Sequence, residues 1–365
     1  MIQRRHFLKH TLLALGGTTL LPSMLMAEEK TPKSRKFKLV FDFDLHHDTQ
    51  PFPAKLWNPL PQYTGYQKVR TFVFNGNYDR FEINADNPYD ADIFYAQWEK
   101  GNTPKQLHIE MEVETFYRSV PVARIEKFSK MHLPVPQSVK RYLEPTAHIP
   151  TDGKIKAKAD ELTQGMKDRF EKVRAIYNWV TEVTFRDPAV IGCGKGDAGK
   201  MIESGYFGGK CTDISSLFTA LLRAAGIPAR EVFGIRLGAS HFSLALGKSD
   251  KHGFADITTW QHCRVEYFIP GAGWIPSDPA DITKLELVEK LSHSQPRVQE
   301  LKKRYLHSWE MNWIGFNHAR DFILSPKPEQ YPLNMLGYPY AEVEDEVLDY
   351  YTPKTFRYHI TSQEH

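Results

Sequence analysis

Cysteine is scarce in this chain, with 3 among 365 residues, at positions 193, 211 and 263, and no two of them form a C-x-x-C pair. That argues against a disulfide exchanger, which needs two thiols close in sequence. Long apolar runs are also missing. The stretch MIQRRHFLKHTLLALGGTTLLPSMLMA at the start is interrupted by Gly16, Gly17 and Pro22, so it is too short and weak for a spanning helix. A surplus of charge is missing from the rest of the chain. Net charge is +3, and Arg4, Arg5 and Lys9 account for it, leaving 44 basic against 44 acidic residues beyond the first 27. Nothing in that balance asks for nucleic acid or an anionic membrane. No internal repeat is found. A 41% hydrophobic and 25% charged composition is that of a folded globular protein.

The length suggests two domains at about 100–200 residues each. Residues 1–27 have a basic start, a modest apolar run and a small residue, Ala27, which is the plan of an export signal; an uncleaved anchor is the alternative. The block RRHFLK resembles the twin-arginine signal. Such a signal implies a bacterial periplasmic or secreted protein, folded before export, with no stable membrane span once the signal is removed. Residues 28–36 read as a polar linker.

From Phe37 the sequence alternates. FKLVFDFDLH places Phe37, Leu39, Phe41, Phe43 and Leu45 on one face of a half-buried strand. VRTFVFNG, RFEINAD, DIFYAQWE and LHIEMEVETFYRSV continue in the same way between turn signals. The region 37–130 is therefore expected to be an antiparallel β-sandwich. Asp42, Asp44, His46, His47 and Asp48 read as the solvated side of a strand running into a turn, since no further ligand set with recognised metal spacing follows. A proline-rich linker spans 131–153. Helical periodicity then appears, with Phe170, Val173, Ile176, Tyr177 and Val180 on one side of a helix. AREVFGIRL, HFSLALG and CRVEYFI read as strands. The tail beyond 290 is mixed and is expected to pack on the core. GKGDAGKM, residues 194–201, nearly fits a phosphate loop, but Met201 stands where a magnesium-binding hydroxyl is required; it reads as a flexible loop.

The chemistry centres on GGKCTDISSLFTALLRAAGIPAR, residues 208–230. Ile214, Leu217, Phe218, Leu221 and Leu222 form the apolar stripe of a helix from about Thr212 to Ala225, stopped by Gly226 and Pro228. Cys211 sits at its mouth, where unpaired N–H groups and the helix dipole favour a thiolate. The Cys211 N–H is a candidate oxyanion donor, and Gly208 and Gly209 would clear the approach of a substrate carbonyl. A small buried hydrophobe is the plain alternative for any cysteine. A thiolate enzyme also needs a base and a group to orient it. His262 begins an alternating run and Asp278 follows a turn, so two adjacent antiparallel strands would bring them together.

The blocks GGKCTDISSLFTALLRAAGIPAREVFGIRL, HCRVEYF and GWIPSDPAD resemble the transglutaminase-like superfamily, relatives of papain-type cysteine enzymes, over roughly residues 155–285. WIGFNHARDFILSP and AKLWNPLPQY resemble the tail and the amino-terminal sandwich of bacterial members. The resemblance implies an α+β fold, an N-terminal β-sandwich followed by a transglutaminase-like core over 154–290, and a C-terminal extension over 291–365. It implies Cys211, His262 and Asp278 as the catalytic set, without cofactor or metal. A thioester enzyme acting on a protein or peptide follows, as a peptidase or amidase rather than a cross-linker; an idle binding or assembly module is the alternative. Arg264 departs from the family, which has an aromatic residue there, and is expected to narrow or charge the cleft. Tyr206 and Gln261 are side-chain oxyanion candidates, and Trp260 is a cleft candidate. Cys193 and Cys263 are either a structural disulfide or two buried thiols.

Overall fold

Strand Ser34–Asp44 shows what alternation does once it is packed. Phe37, Leu39, Phe41 and Phe43 are buried, whereas Lys36, Lys38 and Asp42 face outward or partly outward. In this computed structural model the described residues are 33–45, 52–99, 105–329 and 332–365. The twin-arginine stretch, most of the polar linker after it, and His46, His47 and Asp48 lie outside them. Lys33–His365 packs as one compact unit.

Two five-stranded sheets, each antiparallel throughout, make the sandwich. One runs in the order Phe254–Asp256, Tyr358–Glu364, Ser34–Asp44, Gln106–Phe116, Gln67–Gly76. The other runs Glu346–Val347, Tyr340–Val343, Ala54–Pro59, Ile93–Trp98, Arg80–Asn84. Strands from residues beyond 290 thus enter both sheets. Phe37, Phe41, Leu56, Phe94, Ile109 and Ile360 fill the space between the sheets, and Ile235, Ile314 and Phe316 continue that core into the following region.

A four-stranded antiparallel sheet, in the order Gly273–Ser277, Arg264–Ile269, Ala229–Arg236, Trp313–Asn317, backs the site. Helix Cys211–Ala224 packs against it, with helices Gly153–Leu162 and Arg169–Val183 beyond. In the last of these, Phe170, Val173, Ile176, Tyr177 and Val180 are buried, as the periodicity predicts, and the Asp168 carboxylate caps the first turn by accepting from the Glu171 N–H at 2.9 Å.

Three expectations are corrected. Helix Cys211–Ala224 buries every residue from Cys211 to Arg223, not one stripe, because sheet, helices and tail enclose it on all sides. HFSLALG is not a strand; the Ser240 hydroxyl accepts from the Phe242 and Ser243 N–H groups, and the Ser243 hydroxyl from Ala245, so side chains take the amides a ladder would need. The 194–201 segment is not loop throughout, since helix Ala198–Ser204 begins within it. Its Gly196 N–H donates to the Asp213 carboxylate at 2.8 Å, and a Cβ on Gly194, at φ +88°, would overlap that carboxylate. An internal acid therefore occupies the place a phosphate would take. Among the described residues, no helix is long and apolar enough to cross a membrane.

Candidate active site

Cys211 is the first residue of its helix and 3% exposed. The chain is held there from both sides. The Lys210 N–H donates to Asp213 Oδ2 at 2.9 Å, and the Thr212 N–H donates to the Cys193 carbonyl at 2.9 Å. The Cys211 N–H has no acceptor within its own helix, as the first-turn geometry dictates.

His262 is brought in by its own backbone, whose N–H donates to the Gly234 carbonyl at 2.9 Å. Trp313 Nε1 then holds the His262 carbonyl at 2.8 Å. Strands Arg264–Ile269 and Gly273–Ser277 pair in antiparallel register, Val265 opposite Ser277, so the residues flanking that pair meet. His262 Nε2 lies 2.8 Å from Asp278 Oδ2. Nδ1 is the ring nitrogen left for the cysteine, and His262 acts to lower the pKa of the Cys211 thiol.

The three cysteines are free and buried, and their sulfurs meet. Hydrogen bonds from Cys193, then Cys263, with His262 alongside, hold the Cys211 thiol well below the ordinary cysteine range against the opposing effect of burial. Tyr338 Oη donates to the Cys193 sulfur at 3.0 Å. The single Cys193 proton then goes either to Cys211 or to the Gln261 carbonyl, 3.1 Å away. Burial and Arg236 press the His262 imidazole toward neutrality, but Asp278 and Asp281 outweigh them and raise its pKa. A lowered thiol beside a raised imidazole is the electrostatic setting of a thiolate–imidazolium pair.

Behind this pair stands a set of charges that sequence reasoning missed. Asp281 Oδ1 lies 3.5 Å from His262 Nε2 and is bridged by Arg236. The Asp281 N–H donates to Asp278 Oδ1 at 3.1 Å, at the start of helix Ala280–Glu289. Burial opposes ionisation of Asp281, yet Arg236, His262 and Arg264 hold its carboxyl far below the usual range. Burial and the Asp281 charge push Asp278 the other way. His262, Asp278 and Asp281 present donor atoms within 4.8 Å of one another, a spacing a metal ion could bridge. Arg236 and Arg264 already stand against those carboxylates, so guanidinium closes the set. The one sequence signal for Asp281 is a second carboxylate three positions after Asp278.

The cleft over Cys211 has a volume of about 430 Å³. Trp260, Gln261, Cys211 and His262 line it, together with Leu244, Ala245 and Gly247 of the segment expected as a strand. The other candidates lie elsewhere. Arg264 is 1% exposed and sits behind the site, its Nε 3.3 Å from Asp278 and its guanidinium 4.8 Å from the Trp313 ring centre. It does not line the cleft, because the strand pairing that places His262 turns Arg264 inward. Gly208 and Gly209 are buried against their own chain; a Cβ would meet Phe185 and Tyr206 at the first and Asp213 at the second. The Tyr206 hydroxyl donates to Asp187 at 2.8 Å and lines a separate, more apolar depression with Ile191 and Met201. Of the two side-chain oxyanion candidates only Gln261 faces the cleft, with one amide bond to the Thr258 carbonyl at 3.1 Å.

Residues 156–279 match the Transglutaminase-like superfamily. An uncharacterized protein of Haemophilus influenzae is 41% identical over 317 residues, covering 85% of this chain and 86% of its own length. Among solved structures, a candidate cysteine protease from Cytophaga hutchinsonii is 19% identical over 68% of this chain and 78% of its own, with a TM-score of 0.49. The periplasmic domain of TgpA from Pseudomonas aeruginosa is 16% identical over 74% of this chain and 93% of its own, with a TM-score of 0.35. The chain belongs to one family with the Haemophilus influenzae protein, and its residues 156–279 form a domain of the transglutaminase-like superfamily.

Proposed function

We propose that this protein is an exported cysteine enzyme that opens a peptide or carboxamide bond through a thioester on Cys211, as a peptidase or amidase rather than a cross-linker. The observation that carries the reading is the line Cys211–His262–Asp278, with Cys211 and His262 lining an open cleft and Asp278 buried behind them, 2.8 Å from His262 Nε2. The Cys211 thiolate adds to the carbonyl carbon. The Cys211 N–H, at the positive end of its helix, is placed to hold the oxyanion, with Gln261 nearby. The His262 imidazolium gives its proton to the leaving amine as the C–N bond breaks, and a thioester remains. Water then adds, losing a proton to His262, and the thiolate leaves. Asp278 keeps the imidazole oriented and favours its charged form. The basic, apolar and small-residue order of residues 1–27 supports periplasmic or secreted placement through the twin-arginine route.

The test is the pH dependence of Cys211 alkylation by iodoacetamide on the protein without residues 1–27. The lowered Cys211 pKa and raised His262 pKa predict fast labelling well below a free-thiol pKa of about 8.5. His262→Ala should slow it roughly a hundredfold at pH 6. Labelling that rises only near the free-thiol pKa and ignores His262 would favour an idle binding module instead.

A further inference from the structure

The cleft over Cys211 has a one-sided charge. Arg186, Lys210, Arg236, Lys248, Lys284 and His262 line it, and no Asp or Glu does. Arg236 is spent on Asp281, and within the buried set the two carboxylates and the thiolate are matched by Arg236, Arg264 and His262. Arg186, Lys210, Lys248 and Lys284 are left over. Among the described residues, none of the four side chains has an ion pair or a side-chain hydrogen bond. Of the nearby acids, Asp187 accepts from Tyr206 Oη and the Ala189 N–H, with Lys210 only its weakest influence, and Asp250 accepts from the His252 and Phe254 N–H groups.

The four cations come from separate elements that converge only in the fold. Arg186 ends the short strand Phe185–Arg186, Lys210 precedes the Cys211 helix, Lys284 lies on helix Ala280–Glu289, and Lys248 lies beyond the serine-held turn at 240–245. Lys284 is half-buried beside Arg236. Burial, then Arg236, brings its pKa down to about 7, so it stands where an arriving anion would restore its charge. A concave site with one sign of charge focuses its field on an incoming ion.

We propose that this cleft selects an acidic peptide, one carrying a carboxylate close to the carbonyl that Cys211 attacks, held by Arg186, Lys210, Lys248 and Lys284. The inference rests on the thiolate reading above and adds the substrate's charge to it. A side-chain carboxylate and a free C-terminal carboxylate share the required chemistry.

The experiment compares two alkylating probes of similar size on Cys211, neutral iodoacetamide and anionic iodoacetate. The quantity read is the ratio of their rates within each protein, so a general change in thiol reactivity cancels. The expected ratio exceeds that of a free cysteine thiol by roughly tenfold at low salt and falls as salt is raised. Lys248→Gln and Lys284→Gln should each lower it about threefold. Lys248 is exposed, so its variant keeps the test available should the Lys284 variant fold poorly. A ratio indifferent to both substitutions and to salt overturns the proposal, even where iodoacetamide alone labels fast and depends on His262. The iodoacetamide rate judges the thiolate, and the ratio judges the anion site. Protection of Cys211 by an N-acetylated, C-amidated peptide rich in Glu, against a neutral peptide with a free C-terminus, then tells which carboxylate is held. Protection by neither, with a neutral amidated peptide equally effective, also overturns it.

Discussion

Arg264 shows how a residue can matter without touching the cleft. Its guanidinium lies 3.3 Å from Asp278 and donates to the Glu310 carbonyl at 2.9 Å, with Trp313 beneath it. Burial opposes its charge, and Asp278 and Asp281 support it. Removing one partner of a buried ion set leaves the others uncompensated, at a cost of about 3–5 kcal/mol. Arg264→Met is therefore expected to lower the unfolding free energy read from urea denaturation by an amount of that order, and to weaken Cys211 labelling as the Asp278 orientation loosens. Cys211, His262 and Asp278 are legible in the sequence because helix mouth, strand start and turn are local features. Arg236, Asp281 and Lys284 are not, because their roles arise only when three separate elements converge. Arg264 misleads for the same reason: two positions from His262 in sequence, it is buried against the same Asp278 oxygen rather than turned to the cleft.

Among the elements, helix Cys211–Ala224 carries the most consequence, and its end is set by Gly226 at φ +81°. A Cβ there would meet nothing within 4 Å, so any cost of substitution is conformational, not steric crowding. Gly226→Ala should destabilise the protein by about 1–2 kcal/mol, with Cys211 labelling unchanged, as chemical denaturation and alkylation together would show. This stop is legible because glycine is the residue that accepts a left-handed backbone most readily. The turn at 240–245 is less so. Its alternating composition suits a strand, and only the two serine hydroxyls, by capturing local amides, decide otherwise.

At the scale of the whole molecule, His318 joins the regions. Its N–H donates to the Tyr89 carbonyl, its ring faces Asp90 at 3.3 Å and Glu266 at 3.8 Å, and Arg230 and Tyr142 pack nearby. Burial, then Arg230, brings its pKa down to about 4. A histidine kept neutral in the fold contributes fully above its unfolded pKa of about 6.5; stability drains as pH falls toward 4, by on the order of 3 kcal/mol. Glu266, held near 2 against burial by Arg118 and Arg230, adds loss only below its unfolded value of about 4.5. Urea midpoints at pH 7, 5.5 and 4 should decline in the native protein, and His318→Gln should flatten the decline down to about pH 4.5. The sandwich itself is legible from alternation, but its completion is not, since strands Tyr340–Val343 and Tyr358–Glu364 pair with segments far away along the chain. That pairing has a kinetic meaning. Strand Ser34–Asp44 lies between Gln106–Phe116 and Tyr358–Glu364, so its sheet closes only when segments from opposite ends of the described chain find each other. Such remote contacts make the search long and folding slow, and they leave half-made edges exposed while it proceeds.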